Sequence, residues 1–168
     1  MLRLLACLCL SILPLAAEDG YRLWLRYDAL TAPAAIVLAT PTGRESPTLT
    51  AALAELRSAF GQQTAVSLKA VPAEVPGAGA EGYALRATNG TVQISANSDV
   101  GVLYGSFALL RHLQSGQPLA GLNVTSAPRI ERRLLNHWDN LNGFVERGYA
   151  GFSLWNWFEL PEIRSPRY

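Results

Sequence analysis

Tyr83-Ala84-Leu85-Arg86-Ala87-Thr88-Asn89-Gly90-Thr91-Val92-Gln93-Ile94-Ser95 decides the fold of this chain. Two short runs rich in aromatic and β-branched residues flank Asn89-Gly90. That dipeptide accepts the positive φ that both central positions of a type I′ turn require, so the stretch predicts a β-hairpin. Directly after it, Ser98 or Asp99 offers a helix cap. Val102, Leu103, Phe107, Leu110 and Leu113 then recur at helical spacing, and the helix stops near Gly116. Gly101 to Gly105 opens that helix with small residues. No G-x-G pattern precedes them, so they predict close helix-to-sheet packing and not a phosphate cradle.

Upstream, Tyr21 to Tyr27 and Ile36 to Ala39 read as strands. Ser46-Pro47 starts a helix that carries Leu49, Leu53, Leu56 and Phe60 on one face and ends at Gly61. Val66 to Val71 is a further strand. Pro72 to Gly82, rich in Pro, Ala and Gly, is a surface connection. Strands and two helices in this order predict an α/β domain, a sheet with packed helices.

Composition narrows the class. Of 168 residues, 49% are hydrophobic and 16% charged, proportions of a chain that buries a core. Met1-Leu2-Arg3, the apolar run Leu4 to Leu15 and Ala16-Ala17 read as a cleaved signal peptide over residues 1–17, too short to span a bilayer. The expected product is periplasmic or secreted. Both cysteines, Cys7 and Cys9, fall within that leader. The mature chain therefore has no thiol for a disulfide or a metal site, and with two histidines no zinc site is expected. Without the leader it carries thirteen basic and thirteen acidic residues, which argues against nucleic-acid binding. His112, near the end of the second helix, suits a solvent-facing or dipole-complementing position. Asn89-Gly90-Thr91 and Asn123-Val124-Thr125 match a glycosylation sequon, the first better explained as the turn.

From Ser126 the chain changes character. His137 to Tyr168 holds three of the four tryptophans and eight of the fifteen aromatic residues, interleaved with amides, carboxylates and arginines. Neither helical nor strand periodicity organises them. Flat aromatic faces beside Asn, Asp, Glu and Arg suit a polyhydroxylated ring, the aromatics covering its C–H face and the polar groups orienting its hydroxyls. Aromatics capping a core from a loop would leave the same pattern.

The run NHWDNLNGFVERGYAG (136–151), with SLWNW, ELP and PRY after it and YGSFALLRHLQSGQPL and SAPRIERRLLN before it, resembles bacterial α-glucuronidases of glycoside hydrolase family 67. The resemblance implies an N-terminal α/β domain at 18–125. It also implies the start of a (β/α)8 catalytic barrel at 126–168 that is not completed, since members of the family are several times longer. Arg129 to Asn136 would be the first barrel strand, and Asn136 to Asn142 would lie at its C-terminal end, where barrel enzymes place their chemistry. The implied activity is removal of α-1,2-linked glucuronic acid, or its 4-O-methyl ether, from xylan fragments, without cofactor, metal or membrane. The implied ligands are glucuronoxylan-derived oligosaccharides.

On that resemblance the substrate-side candidates are Trp138, Asp139, Asn140, Glu146 and Arg147. A guanidinium fork at Arg147 matches a uronate carboxylate, and Glu146 can accept from hydroxyls. A local ion pair would explain the same two residues, and packing would explain Trp138. Trp155 and Trp157 read as packing residues. Glycoside hydrolysis needs two carboxyl groups astride the bond. The family inverts, with its acid and base on later strands. None of Asp139, Glu146, Glu159 or Glu162 matches those motifs, so no catalytic residue is assigned. Three functional readings stay open: an α-glucuronidase continued elsewhere, a non-catalytic carbohydrate-binding module, and a remnant that folds only over about 20–120. In the last, its exposed aromatics would favour self-association.

Overall fold

The structure, a computed structural model, describes Tyr27 and residues 30–71, 74–134, 136 and 156–163. Its elements run β1 (Ala35–Thr40), α1 (Pro47–Phe60), β2 (Ala65–Ala70), β3 (Tyr83–Thr88), β4 (Thr91–Ala96), α2 (Asp99–Gln114) and β5 (Asn123–Ser126). They form the expected mixed α/β layer, a five-stranded sheet in the order β2-β1-β4-β3-β5.

The hairpin is the nucleus of this arrangement. Asn89 and Gly90 adopt φ of 49° and 78°, the signs a type I′ turn needs, and β3 pairs antiparallel with β4 from Tyr83–Ala96 to Thr88–Thr91. β1 lies parallel to both β4 and β2. The Gly90 carbonyl accepts from the Ala34 amide at 2.9 Å, which ties the turn to the entry of β1.

Register sorts the side chains. Ile36 faces Val92 and Leu38 faces Ile94 across β1 and β4, while Leu85 faces Ile94 across β3 and β4. Because side chains alternate along a strand, these residues share one face of the sheet. All five are buried with Leu49, Leu53, Leu56 and Phe60 of α1 and Leu109, Leu110 and Leu113 of α2. Each such side chain contributes about 1.5–3 kcal/mol relative to exposure. The two helices also pack against each other. The alternate sheet positions include exposed Ser67, Lys69, Arg86 and Gln93.

Both helices are capped as the sequence implies. Ser46 Oγ accepts from the Leu49 amide and Ser98 Oγ from the Gly101 amide, each at 3.2 Å, with Pro47 opening α1. Ser98 Oγ also donates to the Ala80 carbonyl. Beside it, Asn97 accepts from the Val75 amide at 2.7 Å and donates to the carbonyls of Val75 and Gly79, so the connection before β3 is pinned to the end of β4.

The pattern on α2 departs from expectation in one respect. Leu103 and Phe107 are only half-buried, and Gly101, Gly105 and Ser106 take the innermost positions. A Cβ on Gly105 would stand 2.5 Å from Ile94 Cγ2, and one on Gly101 would stand 2.3 Å from the Gly82 carbonyl. Small residues let the helix settle directly onto the sheet, as the sequence suggested, and that rotation turns Phe107 outward.

Two expectations need correction. Asn123–Ser126, for which no secondary structure was expected, is strand β5, antiparallel to β3 at the sheet edge. Arg129 to Asn136, expected as a strand, is irregular over its described residues 129–134 and 136. A strand requires a ladder partner. Pro128, which has no amide hydrogen to donate, separates this segment from β5. Ile130 and Leu134 are 66% and 91% exposed. The strand expected at 21–27 lies outside the described residues apart from Tyr27, as does the signal peptide. Among the described residues, no helix is long and apolar enough to cross a membrane.

Candidate functional site

Trp138, Asp139, Asn140, Glu146 and Arg147 all lie outside the described residues, as does Trp155. Trp157, expected to pack, is 39% exposed, beside Phe158 at 88%.

What the described residues do build is a cleft of about 500 Å³. One wall is α2, whose Tyr104, Phe107, Ala108, Arg111 and Gln114 recur at helical three- and four-residue spacing. Glu81 and Tyr83 at the start of β3 form a second wall. Ser126 to Pro128 and Arg133, on the segment leaving β5, form a third, and Tyr27 completes the lining. The Tyr27 hydroxyl donates to Glu55 Oε1 on α1 at 2.6 Å, which anchors that side of the cleft to the first helix.

Arg133 organises the rim. Its guanidinium pairs with Glu81, donates to the Ile130 carbonyl at 2.6 Å and to the Tyr104 hydroxyl at 3.3 Å, and lies 5.5 Å from the centre of the Tyr104 ring. The Glu81 hydrogen bond, then that to Tyr104, raises the pKa of Arg133 further above its ordinary value, so it is a cation at every working pH. The pair is a surface feature, its side chains 38% and 40% exposed, and such pairs stabilise by about 0–1 kcal/mol. Arg111, by contrast, has no ion pair among the described residues.

A smaller cleft of about 270 Å³ lies between β3, β5 and the end of α2. There His112 Nε2 lies 2.9 Å from the Pro118 carbonyl, and since a carbonyl only accepts, that nitrogen carries the proton. His112 thus secures the loop after α2; among the described residues there is no group of three or more His, Cys, Asp or Glu that could hold a metal ion.

Chemically the main cleft is suited to binding. Its described lining has one carboxylate, Glu81, already engaged by Arg133, whereas glycosidic cleavage uses two carboxyl groups roughly 5–9.5 Å apart. This cleft is not legible in the sequence because its walls come from residues 27 to 133. The available hint was Tyr104, an aromatic on α2 off the core-facing positions.

Comparison with known proteins finds two family models along the chain. Residues 29–125 match the model of glycosyl hydrolase family 20, domain 2, and residues 112–168 match that of the glycosyl hydrolase family 67 middle domain. A probable alpha-glucuronidase A of Aspergillus oryzae is 32% identical over 82% of this chain and 20% of its own length. The alpha-glucuronidase A of Aspergillus tubingensis is 29% identical over 88% of this chain and 21% of its own. A probable alpha-glucuronidase A of Aspergillus terreus is 37% identical over 48% of this chain and 10% of its own. The chain thus spans about a fifth of the length of the first two relatives, which are fungal. The match to family 20 over the sheet was not anticipated from the sequence. Over residues 29–125 the chain belongs to the family of glycosyl hydrolase family 20 domain 2, and residues 112–168 are similar to the glycosyl hydrolase family 67 middle domain.

Proposed function

We propose that this chain contributes the sheet domain and barrel entry of an α-glucuronidase that removes α-1,2-linked glucuronic acid, or its 4-O-methyl ether, from xylooligosaccharides. The observation that carries this reading is the succession of the two family matches along one chain, beside the 32% identity that 82% of the chain shares with the Aspergillus oryzae relative. On this reading the sheet domain occupies 18–125. Residues 129–136 become the first barrel strand once neighbouring strands supply ladder partners. Trp138 covers the C–H face of the sugar, Asp139 and Asn140 bond its hydroxyls, Arg147 holds the uronate carboxylate in two parallel hydrogen bonds, and Glu146 accepts from hydroxyls. The acid and base are not among the carboxylates of this chain. The leader, cleaved near Glu18, directs the product out of the cytoplasm.

Joining residues 1–168 to the remaining part of the Aspergillus oryzae relative should give an enzyme that frees glucuronic acid from substituted xylooligosaccharides. In that fusion Arg147→Ala should raise KM about tenfold or more, as loss of a charge-assisted bidentate contact implies. The 168-residue chain alone should free none. A folded fusion without this activity, or turnover by the short chain through one of its own carboxylates, would overturn the proposal.

A further inference from the structure

The cleft between α2, β3 and the segment leaving β5 has the composition of a ligand site separate from Trp138–Arg147. Its volume of about 500 Å³ falls within the roughly 300–1,000 Å³ of small-molecule pockets. Tyr83, Tyr104 and Phe107 give it aromatic walls. Tyr104 is 37% exposed, and Tyr83 and Phe107 are half-buried, so their rings retain surface to offer a ligand. Two guanidinium groups line the cleft in different states. Arg133 is satisfied by Glu81, Ile130 and Tyr104. Arg111 has no ion pair among the described residues, and Gln114 lies one turn further along the same helix wall. The last turn of a helix is a favourable place for a cation, which explains why Arg111 is tolerated there. It does not explain why the charge lines an aromatic cleft.

We propose that this cleft is a second carbohydrate-binding site, which takes a uronate-bearing sugar between Tyr83, Tyr104 and Phe107 and meets its carboxylate with Arg111. Aromatic faces cover the C–H surfaces of a pyranose ring. A guanidinium fork matches a carboxylate in two parallel hydrogen bonds and gives nothing comparable to a neutral xylose unit. The Gln114 amide is within the same lining to serve a hydroxyl. Among the described lining residues the one carboxylate, Glu81, is held by Arg133, so the proposed role is binding. The choice of a glucuronate-bearing ligand rests on the α-glucuronidase reading, whereas the preference for an acidic over a neutral sugar rests on Arg111 alone.

The test is a titration of the 15N-labelled 168-residue chain with xylotriose carrying a single glucuronic acid, and in parallel with unsubstituted xylotriose. The acidic ligand should shift the amide signals of Tyr83, Tyr104, Phe107 and Arg111, and the neutral one should bind about tenfold more weakly or less. Arg111→Gln should weaken the acidic ligand about tenfold while leaving the α2 signals in place. Arg111→Lys, which keeps the charge and loses the fork, should fall between. Arg133→Gln should change affinity by less than about threefold. Equal binding of the two ligands, or an unchanged affinity in folded Arg111→Gln, overturns the proposal. Shifts confined to Trp138–Arg147 also overturn it while leaving the proposed function standing. A cleft that takes free galacturonate as well as the glucuronate-bearing ligand keeps the proposal and removes its link to glucuronidase chemistry.

Discussion

Ile36 and Ile130 are the same side chain on two sides of a boundary. Ile36, paired through β1 with strands on both flanks and covered by helices, is fully buried. Ile130, four residues after the end of β5, is 66% exposed, with Leu134 and Phe158 barer still. Hydrophobicity is common to both regions. What separates them is the presence of partners: the buried side chains of the core lie between sheet and helices, whereas Ile130, Leu134 and Phe158 stand exposed.

The sharpest way to break this comparison is truncation on each side. Ile94→Ala, beneath α2 and fully buried, should cost about 2–5 kcal/mol in chemical denaturation, as large-to-small core changes do. Ile130→Ala should change stability by less than about 0.5 kcal/mol, as surface changes do. Equal losses would show that the segment after Ser126 is part of the core. An intermediate effect is expected at the helix–sheet contact. Gly105→Ala places a methyl group against Ile94 and should cost about 1–3 kcal/mol by overpacking, with a lower melting temperature and unchanged helix content. A neutral outcome would mean that α2 shifts freely on the sheet. The smallest effect belongs to the rim of the cleft. Arg133→Gln removes the pair with Glu81 and should cost less than about 1 kcal/mol, with part of that lost in high salt because exposed charges are screened. A larger loss would mean that the segment carrying Arg133 is docked firmly onto the sheet domain.

Where local chemistry is decisive, sequence and structure coincide. Asn89-Gly90 dictates the turn, Ser46-Pro47 and Ser98 dictate the helix starts, and Leu49, Leu53, Leu56 and Phe60 dictate which face of α1 is inward. These are decided within a few residues, by φ preferences, orphan amides and a 3.6-residue period. The aromatic run after Asn136 also identified its family from the sequence, although the residues proposed there lie outside those described.

Other features depend on residues far apart in the chain, and only the tertiary structure decided them. The place of β1 inside the sheet, between β2 and β4, gives it a ladder on both sides and buries Ile36 and Leu38. Asn123–Ser126 is a strand because β3 has a free edge to pair with, and its exposed Val124 carries no alternating signal strong enough to announce it. Residues 129–134 carry the apolar Ile130 and Leu134 and form no ladder with the described residues. The cleft draws Tyr27, Tyr83, Tyr104 and Arg133 from four separate parts of the sequence. Secondary structure here is written in short-range preferences that sequence displays directly. Strand order, exposure and the cleft depend on which distant partners are present, because burial and ladder pairing are properties of two segments and not of one.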